Sequence, residues 1–227
     1  MARTPGKRLI SQQDNYVWLL LALLIFFFLG SLAAQLDMEI LARVTAVSLT
    51  AIILVAVWSM EHYRFPFSLK VGLTLMFVMV EGGELLFENF HLGTVQLVSL
   101  VVFSLLTIIM ASRQVLLTGA VDSNKIVGAI CIYLLMGIAW AEAYLLVERI
   151  FPGSIPALSG ENWRHHVEDA LYFSYITLTT LGYGDISPVQ PLARYLAYIQ
   201  AVVGQFYLAI VVASLIGARM SDDSRET

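Results

Sequence analysis

Residues 179–185 read TTLGYGD: two threonines, then glycines at alternate positions around Tyr183, then an acid. Gly182 and Gly184 can take left-handed dihedrals at no steric cost. A chain with glycines at alternate positions can turn its carbonyl oxygens to one side. In water such a stretch is an ordinary loop. Enclosed by apolar helices it becomes a row of oxygens with nothing but its contents to solvate. The surroundings of the heptapeptide therefore decide its meaning.

Those surroundings are apolar. Of 227 residues, 59% are hydrophobic and 13% charged, against about 45–50% and about 25% in soluble domains. A membrane-spanning helix needs about 20 mostly apolar residues. Residues 16–34, 40–60, 69–88, 94–112, 126–147 and 193–217 meet that requirement, which predicts an all-α membrane protein with six spans. Arg3, Lys7 and Arg8 precede the first run as in a signal peptide, but the run extends to Ala34 and reads as a retained helix. With the N-terminus inside, the inner side carries nine Lys and Arg (Arg3, Lys7, Arg8, Arg64, Lys70, Arg113, Lys125, Arg219, Arg225) and the outer side four (Arg43, Arg149, Arg164, Arg194). The excess predicts both termini in the cytoplasm of a cell-membrane protein. Cys131 is the one cysteine, so no intrachain disulfide can form.

The exceptional connection is the outer segment between the last two spans. It contains an apolar run, residues 170–178, too short to cross, preceded by Glu168 and Asp169, acids suited to a helix N-terminus. TTLGYGD follows that run, and Pro188 and Pro191 come after it. A half-length helix returning as extended chain is a re-entrant loop. Non-helical backbone at membrane depth persists only when buried in protein or lining a watery path.

The run ALYFSYITLTTLGYGD, with Gly204 nineteen residues beyond the aspartate in the next span, resembles the pore module of potassium channels. The resemblance covers residues 126–217, about two fifths of the chain, and departs from the family pattern mildly at Leu181, where valine or isoleucine is usual. It implies a potassium-selective channel in which carbonyls of Thr180, Leu181, Gly182 and Tyr183, with the Thr180 hydroxyl and the Gly184 turn, replace the hydration shell of K⁺. One chain supplies a quarter of each oxygen ring, which implies a homotetramer of closed symmetry. Tyr183 would brace the filter against Tyr172, Phe173 and Tyr175, and Asp185 would cap its outer end. The acid that partners this aspartate in some relatives is replaced by Ile176. Thr179, Gln205, Leu208 and Val212 would face a central cavity, and Ile216, on the same helical face, would form a constriction. Gly204 is a candidate hinge, or a glycine admitting close packing.

Six spans with the pore last also resembles the layout of voltage-gated channels. Each charge crossing the field contributes only about 2.3 kcal/mol per 100 mV, so a sensor needs several arginines. The fourth span has none before Arg113 at its inner end, which predicts no steep voltage gating. The third span is more unusual. Its EGGELLFE places Glu81, Glu84 and Glu88 on one helical face, with Glu81 about 10 Å below the outer boundary at 1.5 Å per residue. Three readings stay open: an ion pair with Arg43, a sensor of protons or divalent cations, and solvation in an outer vestibule.

The expected organisation is a cytoplasmic N-terminus (1–15), a four-helix membrane domain (16–112), a linker (113–125), a pore domain (126–217) and a short tail (218–227). The ten residues after Gly217 predict no cytoplasmic ligand-binding domain. No catalytic triad, metal-ligand cluster, phosphate loop or basic nucleic-acid patch is present, so neither enzyme nor nucleic-acid partner is expected, and no cofactor beyond K⁺ as permeant ion. The rivals are a weakly selective cation channel, which the tyrosine between the glycines opposes, and a non-conducting sensor built on a pore scaffold.

Overall fold

The computed structural model describes residues 15–36, 93–116, 123–160, 162–214 and 216–217. The second and third predicted spans, with Arg43, Glu81, Glu84 and Glu88, lie outside the described residues, as do residues 117–122 of the linker and the tail. The described chain is helical with no strand: α1 (Asn15–Gln35), α2 (Gly93–Leu116), α3 (Ser123–Ile150), α4 (Val167–Leu178) and α5 (Pro191–Phe206). Among the described residues three helical stretches are long and apolar enough to cross a bilayer: Gly93–Val115, Asn124–Ile150 and Pro191–Val211. The apolar part of α1, Tyr16–Leu32, is shorter.

Helix α3 is the axis of the bundle, packing against α1, α2 and α4. Small residues set those approaches. Gly128 sits against the Tyr16 ring and Val115, and buried Cys131 donates its thiol to the Tyr16 carbonyl at 3.4 Å. A built Cβ on Gly137 would lie 2.2 Å from the Tyr175 ring, so the α3–α4 contact exists in this form only with glycine there.

Helix α4 has 12 residues, about 18 Å at 1.5 Å per residue, too short to cross. Val167, Ala170, Leu171, Phe173, Ser174, Ile176 and Leu178 are buried, so the helix is enclosed on most of its circumference. Phe173 packs on Tyr144 with ring centroids 4.7 Å apart. Glu168 and Asp169 occupy its first turn, where the helix dipole favours acids. The short helix expected from the sequence is present, beginning three residues earlier than the apolar run.

The connection from α3 to α4 folds around one side chain. Glu148, buried, accepts hydrogen bonds from the Gly153 and Ile155 N–H groups and the Ser159 hydroxyl, each at 2.7 Å. The Ser154 carbonyl in turn accepts from Val189 N–H at 2.9 Å, and Gln190 Nε2 donates to the Pro152 carbonyl at 3.2 Å. The loop before α4 is thus fastened to the loop after TTLGYGD. Pro191 then opens α5 at a position where its missing N–H is no loss.

Beyond Phe206 the last helix changes geometry: Tyr207–Val212 is a π segment. A π turn inserts one extra residue, which rotates everything after it by about 100° relative to an α-helix. The face 205, 208, 212, 216 counted on α-helical spacing does not continue through this segment. Sequence periodicity carries no mark of such an insertion.

Candidate functional site

TTLGYGD begins where α4 ends. The Thr179 hydroxyl donates to the Tyr175 carbonyl at 2.7 Å, Thr180 N–H to the Thr177 carbonyl at 3.0 Å, and Gly182 N–H to the Ile176 carbonyl at 3.0 Å. The strand therefore hangs from the C-terminal turn of a buried helix, whose partial negative end favours a cation nearby. Its dihedrals alternate: Thr180, Gly182 and Gly184 have φ of 59°, 55° and 82°, whereas Leu181 and Tyr183 are not in the positive region. A left-handed threonine costs energy because its branched Cβ crowds the backbone. Strain of that kind persists where the surroundings over-determine it, and such places cluster at functional sites.

The outer end is fixed by a side-chain pair. Tyr172 Oη donates to Asp185 Oδ2 at 2.6 Å and Ile186 N–H donates to Asp185 Oδ1 at 3.0 Å. The Tyr172 phenol, aided by the Ile186 N–H, holds the Asp185 carboxyl below its ordinary value. Because that value is depressed in the folded chain, the link's contribution is complete above the ordinary aspartate value of about 3.9. It is lost as pH falls through the lower, folded value. Tyr172→Phe removes the donor, and Asp185 then titrates at higher pH than in the wild type. A carboxyl carbon NMR titration reads this directly, and superimposable curves would refute the link.

At the inner end, Gln205 Nε2 donates to Thr180 Oγ1 at 3.3 Å. Gln205, Thr179, Leu208 and Ile216 are exposed within one chain, while Val212 is described by its backbone alone. Gly204 is buried, and a built Cβ would stand 2.3 Å from the Leu178 carbonyl oxygen, which also accepts from Tyr133 Oη at 3.2 Å. Close approach of α5 to the end of α4 is thus a requirement at Gly204, whether or not the helix bends there.

Two aromatic placements differ from expectation. Tyr175 was expected behind the filter, but its hydroxyl donates to the Leu134 carbonyl at 2.5 Å and its ring meets Phe27 edge-on at 5.2 Å. It faces the space left by Gly137 and secures α4 to α3 and α1. Tyr183 was expected to lean on Tyr172, Phe173 and Tyr175, yet stands 70% exposed in the single chain. Leu181 is exposed as well, so the strand lies along an open side of the molecule.

Sequence reasoning passed over three residues that shape the site: Glu148, Tyr144 and Gln200. A signal existed for two of them. Gln200 is a polar side chain in an apolar span, and Glu148 is an acid at a span's end; both are buried. Tyr144, an aromatic near a span end, reads from the sequence as an interfacial anchor.

Residues 128–220 match the family model for ion channels. Similar proteins include the two pore potassium channel c of Oryza sativa subsp. japonica, 33% identical over 84 residues that cover 37% of this chain and 16% of that protein. The inward rectifier potassium channel Kirbac3.1 of Paramagnetospirillum magnetotacticum is 37% identical over 94 residues, 40% of this chain and 28% of its own length. Protein LctB of Bacillus caldotenax is 31% identical over 88 residues, 37% of this chain and 64% of its own length. The chain thus spans less than two thirds of each of these relatives. No solved structure matches. In this region the chain is similar to ion channels, potassium channels among them, and its apolar helices support a membrane protein.

Proposed function

We propose that the chain is one quarter of a potassium-selective channel that conducts passively down the electrochemical gradient. The observation that carries this reading is the alternation of left-handed dihedrals at Thr180, Gly182 and Gly184 in a strand suspended from a buried 12-residue helix. That alternation is the conformation in which carbonyls of Thr180, Leu181, Gly182 and Tyr183 can share a side and, with the Thr180 hydroxyl, replace water around K⁺. Four copies would close the rings. The exposure of Leu181 and Tyr183, and of Tyr198, Val202 and Phe206 on α5, supports a neighbouring copy as the missing cover.

In this reading the pore occupies residues 126–217, behind a four-span domain at 16–112 and a linker at 113–125. The tail at 218–227 and the N-terminus lie in the cytoplasm, and the tetramer sits in the cell membrane among lipids. Thr179, Gln205 and Leu208 border the cavity. The constriction expected at Ile216 depends on how the π segment turns the end of the helix. Arg113 alone gives no steep voltage gating. Glu81, Glu84 and Glu88, with Arg43, remain the candidates for modulation by pH or divalent cations.

The test is ion flux from liposomes holding the purified protein, with K⁺ and Na⁺ compared at several membrane potentials and with Ba²⁺ added. Barium-blocked K⁺ flux without Na⁺ flux, shallow in voltage, is the expected result. Equal fluxes would mean a weakly selective cation channel. Silence for both ions, persisting in acid and in Glu81→Gln/Glu84→Gln protein, would mean a non-conducting scaffold.

A further inference from the structure

Behind the filter lies a polar network that joins three helices. Tyr144 of α3 donates its hydroxyl to Gln200 Oε1 at 2.5 Å. Gln200 Nε2, from α5, donates to the Ser174 carbonyl at 3.0 Å and to Ser174 Oγ at 2.8 Å. The Ser174 hydroxyl of α4 donates in turn to the Gly137 carbonyl of α3 at 2.6 Å. Tyr144, Ser174 and Gln200 are all fully buried. The amide orientation is dictated by its neighbours, since the reverse would set Gln200 Oε1 against the Ser174 carbonyl. Both polar atoms of the Gln200 amide and the phenol hydroxyl have partners, so the network is satisfied and therefore rigid.

Its position relates it to the filter. Ser174 is two residues before Ile176 and three before Thr177, the carbonyls from which Gly182 and Thr180 are suspended. Gln200 is one helical turn before Gly204, where α5 touches the end of α4. A slide of α4 along its axis would carry the filter backbone with it and would break bonds to both flanking spans. A wholly apolar contact would resist separation of the helices but not a slide of a few tenths of an ångström.

We infer that Gln200 is a positioning residue for ion selectivity, its amide setting the axial register of α4 and hence the spacing of the oxygens in TTLGYGD. This rests on the reading of that strand as a potassium filter. Tyr144 and Ser174 serve as its partners. Tyr144 is the titratable member of the network, and no charged side chain takes part in it.

The test uses the full-length protein in liposomes and compares wild type with Gln200→Leu, Gln200→Glu and Ser174→Ala. Leucine keeps the bulk and removes the donors, so the K⁺/Na⁺ flux ratio falls by about tenfold, the loss expected when buried acceptors lose their partner. Glutamate separates positioning from simple packing. Only its protonated form can donate to Ser174, so selectivity in Gln200→Glu is present in acid and lost as pH rises, whereas wild type stays flat. Ser174→Ala, which keeps the amide bond to the Ser174 carbonyl, shows a smaller loss than leucine. If Gln200→Leu does not assemble, the Gln200→Glu pH profile still decides. Amide hydrogen exchange at Thr180 and Gly182 gives a readout independent of conduction: protection falls in Gln200→Leu. A wild type silent for both ions, persistently in acid and with Glu81→Gln/Glu84→Gln, would sink the filter reading while leaving the exchange result to judge the register. An unchanged flux ratio in Gln200→Leu, a flat Gln200→Glu profile, or unchanged exchange would each overturn the inference.

Discussion

Gly204→Ala loses K⁺ flux and its discrimination against Na⁺, by about tenfold or more, and lowers the thermal stability of the assembled protein. The added methyl would stand 2.3 Å from the Leu178 carbonyl oxygen, 2.9 Å from Leu178 Cδ1 and 3.2 Å from the Leu178 carbonyl carbon. Two of those atoms are backbone and cannot swing aside. The Leu178 carbonyl is also held by Tyr133, so relief requires moving the end of α4 away from α5. Overpacking of this kind costs about 1–3 kcal/mol, at times more. The sign is informative, because glycine to alanine within a helix otherwise stabilises by about 1 kcal/mol. Gly204 is not in the left-handed region, so alanine's own backbone preferences are not offended. A hinge makes a different forecast. A variant that stiffens a hinge alters how often the pore opens but leaves the filter's discrimination and the protein's stability in place. Flux ratio and unfolding temperature, measured on the same preparation, separate the two. A stable, selective Gly204→Ala protein would eliminate the close contact as the reason for this glycine.

That contrast shows what a sequence can and cannot carry. The heptapeptide, the short helix before it and the spans around it were legible because each obeys a local rule: alternate glycines, an apolar run too short to cross, runs long enough to cross. The Tyr172–Asp185 bond was largely legible, since the resemblance supplied a cap at Asp185 bonded to the aromatic layer and left open only which ring donates. Tyr175 was misplaced because its direction depends on a vacancy 38 residues away at Gly137, and no local pattern announces which of three aromatics on one helix will fill it. The π segment at Tyr207–Val212 escaped for a related reason: an inserted residue leaves hydrophobic periodicity nearly intact over two turns while rotating the rest of the helix. Gln200 and Glu148 were visible as letters and silent as partners. Their roles arise from pairings 26 and 7 residues apart, respectively, with groups that are themselves ordinary.

Glu148 carries the second large effect. Glu148→Ala unfolds at markedly lower temperature and shows impaired selective flux, although the side chain serves the loop between α3 and α4 and makes no bond to TTLGYGD. Three donors converge on this carboxylate, and Ile155, whose N–H is one of them, is fully buried. Removing the acceptor leaves the Gly153 and Ile155 N–H groups without a partner, and a buried donor so stranded costs about 1–3 kcal/mol. The loss does not stay local. Ser154, between those two residues, accepts from Val189 on the far side of the filter, so a loosened loop releases the strand's outer exit as well. Glu148→Gln should fall between alanine and wild type. With its amide oxygen turned to the Oε1 position it still serves Gly153 and Ser159, and only the Ile155 N–H meets an opposing donor. Ser159→Ala should cost least, because Ser159 is exposed and water can replace what it loses. The expected order of destabilisation is therefore alanine at 148, then glutamine at 148, then alanine at 159. Thermal unfolding in detergent with flux on the same protein reads it. Glu148→Ala with wild-type stability would mean that the loop holds its shape through its buried apolar side chains, Leu158 and Trp163, instead, and would remove the carboxylate from the support of the filter.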